Sequence, residues 1–158
     1  MKTIIILLTM LLSTQLIKSQ TNPWKPVVQK YFELEKALVA SDSKTAAVKL
    51  TELSKAMAPL TKAKVSKGTS KQVQGMQAAI NASLQSNSLE GYRTQFSKLS
   101  NSLIALSKDN NLWEDKLYVV YCPMKEANWI SSTNEVANPY YGKAMLSCGS
   151  VNATITPK

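Results

Sequence analysis

The sequence predicts a mainly α-helical protein, a four-helix antiparallel bundle closed by a short C-terminal β or irregular cap. Three observations carry this expectation. Between Val27 and Leu106 apolar residues recur at spacings of three and four in four separate runs. The breaks between the runs hold residues that start or stop helices. After Asp109 the helical period ends, and β-branched and aromatic residues take over.

The first run follows an extended lead-in, Trp24 to Pro26, and places Val27, Tyr31, Leu34 and Leu38 on one helix face. Ser41-Asp42-Ser43 breaks it with residues that favour N-caps. The second stripe is Ala46, Leu50, Leu53, Met57 and Leu60, which Pro59 kinks or ends because it lacks the N–H donor. Lys62 to Ser70, rich in lysine and small residues and containing Gly68, reads as a loop. Val73, Met76, Ile80 and Leu84 form the third stripe. Asn87 with Glu90 three residues on resembles a capping box. It precedes the fourth stripe, Leu89, Tyr92, Phe96, Leu99, Leu103 and Leu106. Each stripe needs a partner for its apolar face, and short connections make antiparallel neighbours. Met57 and Met76 lie on stripes and are assigned to the core.

Leu117-Tyr-Val-Val-Tyr121 reads as a strand and Val151 to Ile155 as a second short one, with a turn marked by Asn138-Pro139 and Gly142. Trp113 and Trp129 are expected to anchor this segment on the bundle.

Residues 1–20 place Lys2 before an apolar run from Ile4 to Leu12, then small and polar residues, the layout of a secretory signal peptide cleaved near Ser19 or Gln20. The run is far shorter than the roughly 20 residues that span a bilayer. Residues 21–158 are then expected to be a single exported domain with no stable membrane insertion, in a compartment where disulfides persist. The formal charge of +9 includes Lys2 and Lys18. Arg93 is the sole arginine and aromatics do not interleave with the lysines, so the charge reads as a solvated lysine surface and not a nucleic-acid site.

The chain has no histidine. That removes Ser-His-Asp triads, Cys-His pairs and histidine-bound zinc. Glu33 and Glu35 point in different directions on a helix, and no glycine-rich phosphate loop is present. A non-catalytic protein is expected. What stands out is sulfur. Cys122 and Met124, two apart at the end of a strand, share a side, and Met145 and Cys148, three apart, share one face of a turn. Convergence of Cys122, Met124, Met145 and Cys148 makes a soft donor set that selects Cu(I) or Ag(I). The alternative is a structural disulfide between Cys122 and Cys148, worth on the order of 3 to 4 kcal/mol, with the methionines as ordinary packing. Spacing alone favours the disulfide and leaves the metal site open.

The run Leu117-Tyr-Val-Val-Tyr-Cys-Pro-Met124, then Trp129, then Asn138-Pro-Tyr-Tyr-Gly-Lys-Ala-Met-Leu-Ser-Cys-Gly149 resembles a bacterial periplasmic domain family of unknown function. Tyr31 to Asp42 is similar to the opening helix of that family. Its members occur alone or fused to membrane-fusion proteins of heavy-metal efflux systems. The resemblance implies copper or silver handling in the periplasm, with a heavy-metal efflux adaptor or another envelope protein as partner. Tyr121-Cys-Pro-Met124 and Gly142-Lys143 through Cys148-Gly149 also echo short heavy-metal-binding domains of such systems, in a longer arrangement. Relatives often carry histidine beside Cys-Pro-Met where this chain has Tyr121. A sulfur-only site suits Cu(I) and not Cu(II) or zinc.

Overall fold

The computed structural model describes residues 22–157, and the expected signal peptide lies outside them. Four helices come first: α1 (Lys25–Val39), α2 (Ser43–Thr61), α3 (Lys67–Ser86) and α4 (Leu89–Asp109). Three strands follow: β1 (Leu117–Cys122), β2 (Ala127–Ser131) and β3 (Ser150–Ile155), with a 3-10 turn at Gly142–Met145 before β3. The strands form one antiparallel sheet in the order β2-β1-β3. The expected bundle and cap are present. The cap is a three-stranded sheet, not a two-stranded or irregular one.

Local chemistry sets the helix ends. α1 starts at Lys25, so Lys25 and Pro26, expected to be extended, are helical, because a proline in the first turn gives up no hydrogen bond. Asp42 caps α2 by accepting from the Thr45 amide at 2.9 Å. Pro59 sits in the last turn of α2, which runs on to Thr61. The loop is Lys62 to Ser66, shorter than expected, because the Ser66 hydroxyl caps α3 and Gly68 falls inside its first turn. The capping box also gives way. Ser88 caps α4 through the Gly91 amide at 3.1 Å. Asn87 instead ends α3 in the left-handed conformation at φ 44°, a position that tolerates Asn because its short side chain bonds locally.

The apolar stripes converge on one core that includes Tyr31, Leu38, Leu53, Met57, Met76, Ile80, Phe96 and Leu103. On α3 the fourth core position is Ser83, whose hydroxyl bonds back to the Ala79 carbonyl at 2.9 Å, while Leu84 faces outward. Across α1 and α2, Lys30, Glu33, Lys49 and Glu52 form an alternating ring of ion pairs at 2.8 to 3.1 Å. The Lys49 and Lys30 ammonium groups hold the Glu33 carboxyl below its ordinary range.

Aromatic rings join the cap to the bundle. Tyr31 stacks on Phe96 at 4.9 Å, Phe96 meets Tyr140 edge-on, and Tyr140 meets Trp129 edge-on at 5.8 Å. The Tyr31 hydroxyl contacts Ser100 Oγ at 2.7 Å and accepts from the Ile130 amide of β2 at 3.0 Å. Trp129 is fully buried, and half-buried Trp113 packs edge-on against Phe32. Both tryptophans anchor the C-terminal segment as expected.

Candidate sulfur site

β1 is the middle strand, which explains its composition: Leu117, Val119, Val120 and Cys122 are buried. Pro123 cannot continue the hydrogen-bond ladder, and the strand ends at Cys122, paired with Ala127 of β2. Met124 therefore lies in the β1–β2 turn and not on the strand. Strand alternation stops short of it: Cys122 is fully buried, whereas Met124 is 60% exposed.

Cys148 reaches the same place from the other side of the cap. The 3-10 turn carries Met145, 39% exposed, and the Cys148 amide donates to the Met145 carbonyl at 3.1 Å. At Gly149 the backbone presses on the Trp129 ring and the Tyr121 carbonyl, 2.8 and 3.1 Å from where a Cβ would stand. Only glycine lets the chain pass so close to β1. The thiols of Cys122 and Cys148 are free and their sulfurs lie 3.7 Å apart. A disulfide needs about 2.05 Å, so the pair is a dithiol here.

Asn138, completely buried, fastens the two cysteines. Its Nδ2 donates to Cys122 Sγ at 3.2 Å and to the Cys148 carbonyl at 2.6 Å. Its Oδ1 accepts from the amides of Tyr140 and Tyr141 at 2.8 and 3.3 Å. Desolvation, then the neighbouring Cys122 thiol, push the Cys148 thiol above its ordinary range, while the Met124 backbone amide pulls the other way. The Tyr141 hydroxyl donates to the Met124 carbonyl at 3.1 Å, tying the β1–β2 turn to the segment that holds Met145 and Cys148.

The two sulfurs are close enough for one ion to touch both. With metal–thiolate bonds of about 2.3 Å, sulfurs 3.7 Å apart subtend about 107° at the ion, since half the separation over the bond length is the sine of half that angle. Such an angle is far from linear and leaves room for further donors. Among the described residues no three His, Cys, Asp or Glu side chains gather as a metal site. The thioethers of Met124 and Met145 lie on the two segments that carry the cysteines.

The structure gives three residues roles that the sequence pattern does not assign. Asn138 was assigned only to a turn, although an Asn whose side chain bonds the backbone two residues on is a known turn device. Arg93, the sole arginine, joins α4 to the Leu38 carbonyl, Ser41 Oγ and the Pro139 carbonyl at 2.9 to 3.1 Å, riveting the α1–α2 turn to the cap. Glu35 lies four residues after Tyr31 and three before Leu38, a spacing that already put it on the core face. It is 7% exposed, and burial raises its carboxyl to about 8. The Ser131 and Trp129 side chains oppose that rise, although Trp129 Nε1 makes no hydrogen bond of ordinary geometry among the described residues.

Asn138→Ala is expected to cost about 2 kcal/mol, because it strands the Tyr140 amide and the Cys148 carbonyl in a buried place. Urea denaturation of the two proteins measures it. A midpoint equal to the wild type would show that water replaces the amide at no cost.

No curated protein and no solved structure matches the chain. Residues 27–115 match the family described as protein of unknown function, DUF3347. That stretch holds all four helices except the first two residues of α1, and it ends before β1, so the sulfur-bearing sheet lies beyond it. The match covers more than half of the sequence, and the chain belongs to the DUF3347 family.

Proposed function

We propose that this protein is a non-catalytic, exported binder of Cu(I) or Ag(I), acting in the periplasm in heavy-metal tolerance beside an efflux adaptor or another envelope protein. The observation that carries the reading is the 3.7 Å separation of Cys122 and Cys148, near enough for both to hold one ion. Cys122 and Cys148 supply the thiolates, and Met124 and Met145 supply thioethers from the exposed rim. The bundle serves as the scaffold. Buried Asn138 holds the Cys122 thiol and the Cys148 backbone in place before an ion arrives.

Titration of the reduced protein with Cu(I) against a competing chelator tests this. One tight site per chain is expected, lost in Cys148→Ser and weakened but retained in Met124→Leu and Met145→Leu. No competition at any protein concentration overturns it.

The same proximity favours a second reading, in which the pair closes to a structural disulfide and the protein is an interaction module of an envelope or export assembly. Thiol counting on protein purified from the periplasm separates the two. Two unreactive cysteines, and a mass lower by two hydrogens, support the bridge. Two reactive thiols support the metal site.

A further inference from the structure

We propose that the α2–α3 end of the bundle is a docking surface for an anionic phospholipid bilayer. The charge is segregated along the chain. From Leu53 to Leu89 there are five lysines and no Asp or Glu. Four of them, Lys62, Lys64, Lys67 and Lys71, fall within ten residues at one end of the bundle, all exposed. None of the four makes an ion pair among the described residues, in contrast to Lys30 and Lys49, which are held by glutamates.

A second feature adds to the positive field. α3 begins here, at Lys67, with no acidic residue in its first turn, so the positive end of its dipole faces the same surface. The surface also has apolar content. Val65, 40% exposed, stands between Lys64 and Lys67 at the tip of the loop. An open groove of about 760 Å³ runs beside it, lined by Val65, Lys67, Gly68, Ser70, Lys71 and Gln74. A second groove, about 730 Å³, lies on the other side of Val65, with Trp24, Leu60 and Ala63 among its walls and Asp109 as its one carboxylate.

Charge complementarity selects the occupant. Lysines present compact, flexible point charges, whereas directional pairing with a protein carboxylate favours the fork of arginine, which this end lacks. A layer of lipid phosphates needs no such direction. It also accepts an apolar tip such as Val65 below the headgroups. No described helix is long and apolar enough to cross a membrane. The surface lies away from the sulfur site: Cys148 sits beyond the turn that packs against Val39 and Ser41, at the opposite end of α1 from Trp24.

The test is co-sedimentation of the full chain with vesicles of phosphatidylcholine containing one third phosphatidylglycerol, and with vesicles of phosphatidylcholine alone. Binding to the anionic vesicles is expected at low salt and is lost at high salt. Each lysine near an anionic surface strengthens attachment about fivefold, so the combined Lys62→Gln, Lys64→Gln, Lys67→Gln, Lys71→Gln variant is expected to bind a few hundredfold more weakly. A second variant, Lys36→Gln, Lys98→Gln, Lys125→Gln, Lys143→Gln, removes the same charge elsewhere and is expected to bind within a few fold of the wild type. Circular dichroism confirms that both variants fold. Absence of binding to anionic vesicles at low salt overturns the proposal, as it would if the positive end served only an acidic protein. Equal loss in the two variants also overturns it, because net charge alone would then explain the attachment.

Discussion

Gly142→Ala is expected to destabilise the protein by about 3 kcal/mol. Gly142 has φ +56°, where a Cβ crowds its own carbonyl at a cost of about 1 to 2 kcal/mol. The added methyl also meets atoms already in use. It would stand 2.8 Å from the Val39 carbonyl and 2.6 Å from Arg93 Nη2, and closer still to Ser41 Oγ. Arg93 and Ser41 are side chains and can turn aside. Turning aside breaks the bonds from Arg93 to the Leu38 carbonyl and to Ser41, so relief at one point opens the rivet at another. The Val39 carbonyl is helix backbone and cannot yield without shifting the end of α1. Because Gly142 opens the segment that carries Met145 and Cys148, amide exchange should rise there before the bundle itself loosens. Urea denaturation gives the stability and hydrogen exchange the location. Gly75→Ala is the contrast: it lies inside α3, its Cβ meets only the movable Ser102 hydroxyl at 3.0 Å, and alanine favours the helix by about 1 kcal/mol. A loss in Gly75→Ala as large as in Gly142→Ala would show that crowding alone, and not the left-handed backbone and its rivet, sets the cost.

The second large effect is Glu35→Gln, which is expected to stabilise the protein by roughly 3 kcal/mol at pH 7 and by almost nothing at pH 4. Glu35 is buried under β2, and desolvation raises its carboxyl from an ordinary 4.5 to about 8. Between those two values the folded protein holds a proton that the unfolded chain has released. Stability is therefore fully present below the unfolded value. It falls by about 1.4 kcal/mol per pH unit as pH rises toward 8, and is level above that. Glutamine is neutral throughout and removes the slope. Carboxyls held below their ordinary range, Glu33, Glu52 and Asp42, act in the opposite sense, with stability present above their unfolded values and lost as pH falls. Their window lies on the acid side of Glu35's, so the slope between pH 5 and 8 isolates Glu35. Denaturation of wild type and variant across pH 4 to 9 measures it. Parallel curves would mean that Glu35 is ionised and solvated in the folded state.

The helical half of the molecule was legible because its information is local. A stripe such as Val73, Met76 and Ile80 states its own period, and Asp42 states its own cap. Errors stayed near ends, where neighbouring residues compete for one role. Asn87 and Ser88 are both capping residues, and only the packing of α3 against α4 decides that one ends a helix while the other starts the next. β2 was missed for a different reason. Ala127-Asn-Trp-Ile-Ser131 is short and weakly alternating, and it is a strand because β1 supplies its partners and the Tyr31 hydroxyl takes its Ile130 amide. Ser83 replaced Leu84 in the core because the helix, once docked, turned that face inward.

The sequence by itself determined the four helices, the strand that carries Cys122, the burial of Trp129 and the absence of histidine chemistry. It also named the two cysteines as the place to look. Only the tertiary structure decided that their sulfurs stand 3.7 Å apart as free thiols, that Asn138 bonds to both cysteines, and that Met124 and Met145 are exposed. The reason is separation along the chain. A helical stripe is written within a few residues, whereas Cys122 and Cys148 are joined through 26 positions, and their approach depends on Gly142, Gly149, Arg93 and the aromatic ladder acting together.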